Sequence, residues 1–328
     1  MLYNYKNKLD TIKRLSLEMA EVLRIQEEMS KDAFNTVGLS YDEVRENYIK
    51  ERVYWNEGGP IMTKTLDVNV TCKDGHVVKT RIHYPNNKEV NPILYYIHGG
   101  GMVVGNNDTH SRIMRLLAEK TNCAVIGIDY SLAPEAIYPI AVLESAEVCT
   151  YYSENCDKYG LDSTKIGFAG DSGGANLSLG TTLYLRDNGF DISVIKGLLL
   201  YYGGYGLTDS ISMRQYGGVW DGLTEEDLNF YRKMYLGNTN MEEAPYYNCY
   251  LRDLTNNIPP CFIVGCELDP LVDDSKLLYN ILKENGIKTE YVEYKGAIHA
   301  FLHYSRVMKD ANDALERGAQ FYREQLKI

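Results

Sequence analysis

The sequence predicts an α/β fold: a mostly parallel eight-stranded sheet with helices on both faces and a helical cap. Short, continuous apolar runs recur through the chain, and helix-length segments separate most of them. Strands that are apolar throughout and alternate with helices are typical of a parallel sheet buried on both faces. The runs are ILYYI (93–97), AVIGIDY (124–130), IGFAG (166–170), LLLYY (198–202) and FIVGC (262–266).

The remaining elements are predicted in chain order. Apolar residues at roughly helical spacing indicate a helix over 8–30, followed by a short helix over 41–52. Strands at 64–71 and 76–84 flank the turn Lys73-Asp74-Gly75 and form an antiparallel start to the sheet. Further helices are predicted at about 109–120, 138–154, 174–187 and 224–235, and a last strand at 289–294 precedes a closing helix at about 303–326.

Two segments, 1–50 and 203–245, fit this alternation poorly. We therefore expect one domain over 1–328, with a cap contributed by these segments. The aromatic stretch 201–220 has two interpretations: residues that pack the cap, or a wall of the substrate pocket, since tyrosine offers apolar contact and one polar tip. The bulky residues expected in this lid are Tyr201, Tyr202, Tyr205, Tyr216 and Trp220.

The composition excludes several classes of protein. With 328 residues, 45% hydrophobic and 24% charged, the chain is neither disordered, collagenous nor a coiled coil. Its 45 acidic and 34 basic residues give a net charge of −11, which argues against binding to nucleic-acid backbones. Seven cysteines without a CxxC spacing indicate a reducing compartment and no structural disulfide. No apolar run approaches the ~20 residues that cross a bilayer, so we expect a cytoplasmic protein.

The strongest motif is Gly170-Asp171-Ser172-Gly173-Gly174, between a predicted strand and a predicted helix. A GxSxG sequence in this context is typical of a nucleophilic serine on a tight strand–helix turn. The flanking glycines relieve crowding at the turn, and the helix N-terminus favours a developing anion near Ser172. We therefore predict that Ser172 is a nucleophile.

A second motif, His98-Gly99-Gly100-Gly101, directly follows the strand ILYYI. Consecutive glycines suit a backbone that must approach a ligand closely, as in the oxyanion hole of an acyl-transfer enzyme. The expected donors are the backbone N–H groups of Gly100 and Gly101, together with that of Gly173. A phosphate-binding loop is disfavoured because two asparagines (106–107) stand where such a loop has Lys followed by Ser or Thr.

A nucleophilic serine needs a base, and His299 follows the last predicted strand at the carboxyl edge of the sheet. The orienting carboxylate should lie between serine and histidine along the chain. Asp269 follows the strand CFIVGC and is our choice, with Glu267 as a weaker rival. Two acidic residues, 273–274, are interpreted as charges at a helix N-terminus.

These motifs resemble those of the hormone-sensitive-lipase-like branch of the α/β hydrolases. The matching stretches are HGGG (98–101), DYSLAPE (129–135), GDSGG (170–174), ELDPLVDDS (267–275) and GAIHAF (296–301). The stretches GNNDTHSRIMRLL, GGVWDGLT and AIHAFLHYSR are similar to those of bacterial members that cleave acetyl esters. The branch usually reads GDSAGG, whereas Gly173 occupies the alanine position here.

The resemblance covers nearly the whole chain. It implies Ser172 as nucleophile, His299 as general base and Asp269 as its orienting partner. The oxyanion hole is assigned to the glycine loop and the residue after the serine, that is to His98, Gly99, Gly100, Gly101 and Gly173. The acidic residue of DYSLAPE, Glu135, is expected to brace the glycine loop.

Together these observations predict a carboxylic ester hydrolase acting on short acyl esters, chiefly acetyl esters, through an acyl-enzyme. No metal or organic cofactor is expected, and the partner is a small-molecule acyl ester. The alternatives are an amidase or acyltransferase with the same triad, or a regulatory role beside the esterase activity. The resemblance is compatible with a homodimer and with a regulatory protein partner, a transcriptional activator of sugar metabolism.

Overall fold

The computed structural model describes residues 7–30, 40–218 and 223–328. Trp220 and residues 1–6 and 31–39 of the predicted N-terminal cap segment lie outside the described residues. Eight strands form one sheet in the order β1-β2-β4-β3-β5-β6-β7-β8, which confirms the predicted fold class. The first two strands pair antiparallel, β2 pairs antiparallel with β4, and the other pairs are parallel. The strands are β1 Lys64–Thr71, β2 Val77–Tyr84, β3 Asn91–Ile97, β4 Ala124–Asp129, β5 Leu161–Asp171, β6 Ile195–Tyr201, β7 Cys261–Cys266 and β8 Thr289–Tyr294.

Helices lie on both faces of this sheet. The central strand β3 is buried at all seven positions. Its side chains alternate between two apolar clusters: Tyr95 belongs to one and Tyr96 to the other. In the described residues the helices are α1 Leu17–Ser30, α2 Tyr41–Asn56, α3 Ser111–Thr121, α4 Ile140–Glu154, α5 Cys156–Tyr159, α6 Gly173–Asp187, α7 Ile211–Gln215, α8 Glu225–Leu236, α9 Val272–Glu284 and α10 Lys309–Leu326.

The first helix begins later than predicted, at Leu17 rather than near residue 8. Before it, Ile12–Arg14 form a 3₁₀ turn, and residues 8 and 9 make long-range contacts. The backbone N–H of Leu9 donates to the carbonyl of Gln215 at 2.8 Å, and Lys8 Nζ donates to the carbonyl of Tyr216 at 2.6 Å. The N-terminal segment is therefore tied to the segment around α7.

The last helix also begins later than predicted. His303 lies in a 3₁₀ turn, Phe301–Tyr304, and α10 starts at Lys309. Ala300 adopts a left-handed conformation (φ 66°) at the start of this turn. The N–H of Lys309 donates to Glu18 Oε2 at 2.7 Å, so that a carboxylate from α1 meets the positive end of α10.

The carboxyl ends of β3, β5, β7 and β8 lie along one edge of the sheet, as the parallel pairing requires. All four predicted chemical motifs follow these strands. Within the described residues, no helix is both long enough and apolar enough to cross a membrane.

Candidate active site

Ser172 lies between β5 and α6 in a strained backbone conformation, with φ 53° and ψ −121°. A positive φ is energetically unfavourable for a residue other than glycine, and such strain is typical of functional turns. The two flanking glycines make the turn sterically feasible. A Cβ at Gly170 would overlap with the carbonyl oxygen of Gly174, and a Cβ at Gly174 would overlap with that of Ile97.

The serine hydroxyl is linked to a histidine and a carboxylate. Ser172 Oγ lies 2.7 Å from His299 Nε2, and His299 Nδ1 lies 2.7 Å from Asp269 Oδ2. Asp269 is fully buried, and its other oxygen accepts the N–H of Leu271 at 2.8 Å. The ring of Tyr202 packs edge-on against the imidazole, with centroids 5.1 Å apart. The structure thus brings together three residues separated by 97 and 30 positions along the chain.

The rival carboxylates are engaged elsewhere. Glu267 Oε2 accepts the N–H of Gly296 at 2.8 Å, which fixes the loop that carries His299. Asp273 Oδ2 accepts the N–H of Ser212 at 2.7 Å. Asp274 is buried, and its Oδ2 accepts the N–H of Tyr205 at 2.8 Å. The acidic pair 273–274 therefore anchors the segment after β6, a role beyond the helix-terminal charges predicted from the sequence.

The glycine loop passes directly beside the serine turn. Gly100 (φ 108°) and Gly101 (φ 60°) both have positive φ, and a Cβ at Gly100 would overlap with the carbonyl of Val104. The Cβ position of Gly173 is 3.2 Å from the backbone nitrogen of Gly101, so the loop and the start of α6 are in close contact. The N–H of Gly99 points away, donating to a carboxylate oxygen of the residue before the serine at 3.0 Å.

His98 lies behind this loop rather than in the pocket. Its Nδ1 is 2.8 Å from the carbonyl of Gly99, and its ring stacks on Tyr130 with centroids 4.3 Å apart. Burial lowers the pKa of His98 to about 3, so the ring is neutral at physiological pH. Glu135 does not contact the loop directly. It forms a two-point ion pair with Arg45, which in turn donates to the carbonyl of Val103 at 3.0 Å.

A buried polar cluster under the serine was not predicted from the sequence. Its centre is Asp171, whose Oδ1 accepts the hydroxyl of Tyr96 at 2.7 Å and lies 3.4 Å from His110 Nε2. Burial alone would raise the pKa of Asp171, but the adjacent His110 and the bond from Tyr96 outweigh it and hold that pKa below its usual value. The available signal was the position of Asp171 beside Ser172.

One group among the described residues has a geometry that could hold a metal ion. Ligand atoms of His110, Asp171 and His303 lie within 4.8 Å of one another, and all three residues are buried. Asp171 already accepts hydrogen bonds from Tyr96 and Gly99, which satisfy one of its oxygens without an ion. Burial lowers the pKa of His303 well below its usual value, so this imidazole is neutral.

A cavity of about 390 Å³ opens over Ser172 and His299. Its outer wall comes from α1, α2, the residues around α7, and α8. Apolar and aromatic side chains form most of that wall, among them Leu23, Tyr48, Met213, Leu228, Tyr231 and Tyr304. This composition and size suit a small organic molecule.

The tyrosines expected to form the lid do not line this cavity. Tyr201, Tyr202 and Tyr205 are buried to 0–1% exposure in the protein core. Tyr216 lines a separate, adjoining cavity. Tyr201, Tyr202 and Tyr205 are buried because they lie at the end of β6 or just after it, where the chain is still packed within the core. These three tyrosines therefore pack the core, whereas Leu207 and Met213 of the same stretch line the active-site cavity.

The chain is similar to known proteins over nearly its full length. The sequence profile of a family described as the alpha/beta hydrolase fold matches residues 94–303. An acetyl esterase of Salmonella schwarzengrund is 47% identical over 323 residues, covering 98% of each chain. One of Salmonella typhi has the same identity and coverage. Among solved structures, a hyperthermophilic esterase of the archaeon Pyrobaculum calidifontis is 28% identical, with a TM-score of 0.87 over 96% of this chain and 100% of that one. A thermophilic carboxylesterase cloned from a metagenomic library is 27% identical, with a TM-score of 0.83 over 89% of this chain and 99% of that one.

Proposed function

The chain belongs to the α/β hydrolase family and is a carboxylesterase, and we propose that it hydrolyses acetyl and other short acyl esters through an acyl-enzyme formed on Ser172. The observation that carries this proposal is the hydrogen-bonded chain from Ser172 Oγ through His299 to Asp269, with both links at 2.7 Å. The 47% identity to curated acetyl esterases supports the choice of the acetyl group.

In the first half of the reaction, Ser172 Oγ attacks the ester carbonyl while His299 Nε2 takes the hydroxyl proton. Asp269 holds the imidazole in the tautomer that leaves Nε2 able to accept, and it stabilises the imidazolium that forms. The imidazolium then protonates the departing alkoxide, and the acyl group remains on Ser172.

In the second half, a water molecule attacks the acyl-serine, with His299 again as base, and the carboxylic acid leaves. Both halves pass through a tetrahedral oxyanion. The proposed donors to it are the N–H groups of Gly100, Gly101 and Gly173, since that of Gly99 donates to Asp171. Donors set in place before the reaction typically contribute about 3–4 kcal/mol each to transition-state stabilisation.

We further propose that residues 1–50 and 203–245 act as a cap, because both contribute side chains to the cavity wall. The seven cysteines are all free thiols, which supports a location in the reducing cytoplasm.

The nucleophile is tested with Ser172→Ala. We expect a folded protein whose kcat on p-nitrophenyl acetate falls about 10⁴- to 10⁶-fold, because the covalent route is lost. Mass spectrometry after treatment with a serine-reactive organophosphate should find the label on Ser172 alone. Activity within tenfold of the unmodified enzyme, or label at another serine, would contradict the assignment.

Parallel assays on p-nitroacetanilide and with added alcohols as acyl acceptors separate an esterase from an amidase or an acyltransferase.

The acyl-chain limit is tested with p-nitrophenyl esters of two to twelve carbons. Each methylene accepted by an apolar pocket adds about 0.8 kcal/mol of binding, whereas a closed wall stops that gain. We expect kcat/KM to be highest for acetyl to butyryl esters and to collapse by ten carbons. A steady rise to twelve carbons would contradict the capped cavity.

Leu228 gives this test a structural control. It lines both the active-site cavity and a neighbouring cavity of about 320 Å³. Leu228→Ala should join the two and move the preferred chain length upward. Phe230 on the same helix is 42% exposed, so Phe230→Ala should leave the profile where it is.

A further inference from the structure

The wall of the active-site cavity contains a buried guanidinium that the proposed mechanism does not use. Arg52 lies on α2, lines the cavity, and has a side chain that is only 8% exposed. Its Nε is buried without a hydrogen-bond partner in the described part of the chain. Burying an arginine with donors unsatisfied is costly, so such residues usually have a reason to be present.

The protein neighbours of Arg52 satisfy it only in part. Nη1 donates to Glu51 Oε1 at 3.4 Å, a long single-point contact, and Glu51 itself remains 32% exposed. The ring of Tyr48 lies 4.6 Å from the guanidinium carbon, a cation–π contact. The Glu51 carboxylate also accepts a bond from Gln26 Nε2 at 3.3 Å, so it is shared. The hydroxyl groups of Tyr48 and Tyr304 also interact with the guanidinium. Arg52 is thus held in orientation, and its Nε–H is left without a partner among the described residues.

The other two carboxylates that line the cavity, those of Asp171 and Asp274, are bonded to other groups. Asp171 accepts bonds from Tyr96 and Gly99 beneath the serine. Asp274 accepts the hydroxyl of Tyr250 at 2.6 Å and three backbone N–H groups. Both carboxylates therefore stabilise the fold. The charged donors that remain in the cavity wall include the N–H groups of Arg52. A second arginine, Arg232, also lines the cavity.

We propose that the cavity selects acyl esters that carry a carboxylate, and that Arg52 binds this carboxylate while Ser172 attacks the ester. This inference rests on the proposed esterase function and adds a substrate class to it. The planar fork of a guanidinium matches a carboxylate in two-point geometry. A single negative charge is favoured over a phosphate dianion, because the carboxylates of Glu51, Asp171 and Asp274 face the same space.

The test compares substrates that differ in one charge. On the alcohol side, 4-acetoxybenzoate is compared with 4-acetoxybenzamide. On the acyl side, mono-p-nitrophenyl succinate is compared with p-nitrophenyl butyrate. In the unmodified enzyme, kcat/KM for the charged member of at least one pair should exceed that for its neutral partner by about tenfold or more, and this pair identifies the half of the ester that carries the carboxylate.

The variants are Arg52→Gln and Arg52→Lys, with Arg24→Gln as the control for net charge, since Arg24 is exposed and paired on the surface of α1. Because bonds to charged groups are strong, Arg52→Gln should lower the charged-to-neutral ratio about 10- to 100-fold. Arg52→Lys should restore part of that ratio, and Arg24→Gln should leave it unchanged.

Equal losses on both members of each pair would overturn the proposal and assign Arg52 a structural role. An unmodified enzyme without preference for either charged ester would overturn it as well. Failure on all four esters would instead count against the proposed function. If Arg52→Gln does not fold, competitive inhibition of the unmodified enzyme by the products of the preferred pair decides the question: 4-hydroxybenzoate against 4-hydroxybenzamide on the alcohol side, or succinate against butyrate on the acyl side. Tighter, salt-sensitive inhibition by the product with the additional carboxylate supports the proposal, and equal inhibition overturns it.

Discussion

The strained backbone conformation of Ser172 is stabilised by contacts with neighbouring residues. Positive φ in a serine costs about 1–3 kcal/mol, which the surrounding structure must offset. The N–H of Ser172 donates to the carbonyl of Tyr201 at 2.9 Å, so the turn is tied to β6. Gly170 and Gly174 leave room for the backbone on both sides. The backbone turn therefore holds the Ser172 hydroxyl within hydrogen-bond distance of His299.

At the same scale, the two histidines near the serine should differ in importance. His299→Ala removes the proposed base and should lower kcat about 10⁴-fold or more on p-nitrophenyl acetate. His98→Ala removes only a buried brace behind the glycine loop and should cost far less. Circular dichroism controls for folding, and the reverse order of damage would reassign the base.

At the scale of elements, the segment after β6 is held by the first turn of α9. Asp274 Oδ2 accepts three consecutive N–H groups, from Tyr205, Gly206 and Leu207, at 2.8, 3.3 and 3.2 Å. Tyr250 donates to the other oxygen at 2.6 Å. One carboxylate thus shapes a stretch of cavity wall that has no regular secondary structure, and Gly206 in that stretch lines the cavity.

Asp274→Ala should therefore loosen this wall. Loss of hydrogen bonds to a buried charge predicts a destabilisation of about 2–4 kcal/mol, measured by urea unfolding. Hydrogen exchange should accelerate at residues 205–207 before it does in the sheet. Asp10, whose side chain is 49% exposed and pairs with Lys13 at 3.1 Å, offers the control Asp10→Ala, which should change neither the unfolding free energy nor the exchange rates appreciably. Unchanged exchange at 205–207 in Asp274→Ala would refute the anchoring role.

At the scale of the whole molecule, buried histidines tie stability to pH. Burial lowers the pKa of His83 from 6.5 to about 4, and that of His98 to about 3. The unfolded chain binds these protons near pH 6.5 but the folded chain does not. The contribution of these two neutral histidines to stability is therefore fully present above pH 6.5. It is lost as the pH falls toward their pKa values in the folded chain.

Each such histidine contributes about 1.4 kcal/mol of unfolding free energy per pH unit between pH 6.5 and about 4. His83 faces Thr65 across β1 and β2, far from the serine in the sheet order, so His83→Leu should reduce this slope by about one proton without loss of esterase activity. Urea unfolding at half-unit pH steps measures the slope. His76 is exposed, and His76→Gln should not reduce it. An unaltered slope in His83→Leu would contradict the prediction.

The alternation of apolar runs determined five of the eight strands, β3 to β7, because a strand buried on both faces is apolar at nearly every position. The turn at residues 73–75 indicated the antiparallel pair β1 and β2. Short motifs likewise determined the turn at Ser172 and the glycine loop, since their conformations demand glycine locally. The chain order of Ser172, Asp269 and His299 followed from strand ends that meet at one edge of a parallel sheet. All of these are consequences of neighbouring residues or of one regular pattern.

The tertiary structure alone decided which polar groups are buried together. Asp171 meets His110 across 61 positions, and Lys8 reaches the carbonyl of Tyr216 across 208. The tyrosines after β6 went into the core rather than the cavity, and Arg52 was brought to the cavity wall. Burial and pairing of such residues depend on how elements that are distant in the chain pack against each other. The spacing of residues within the sequence does not predict that packing.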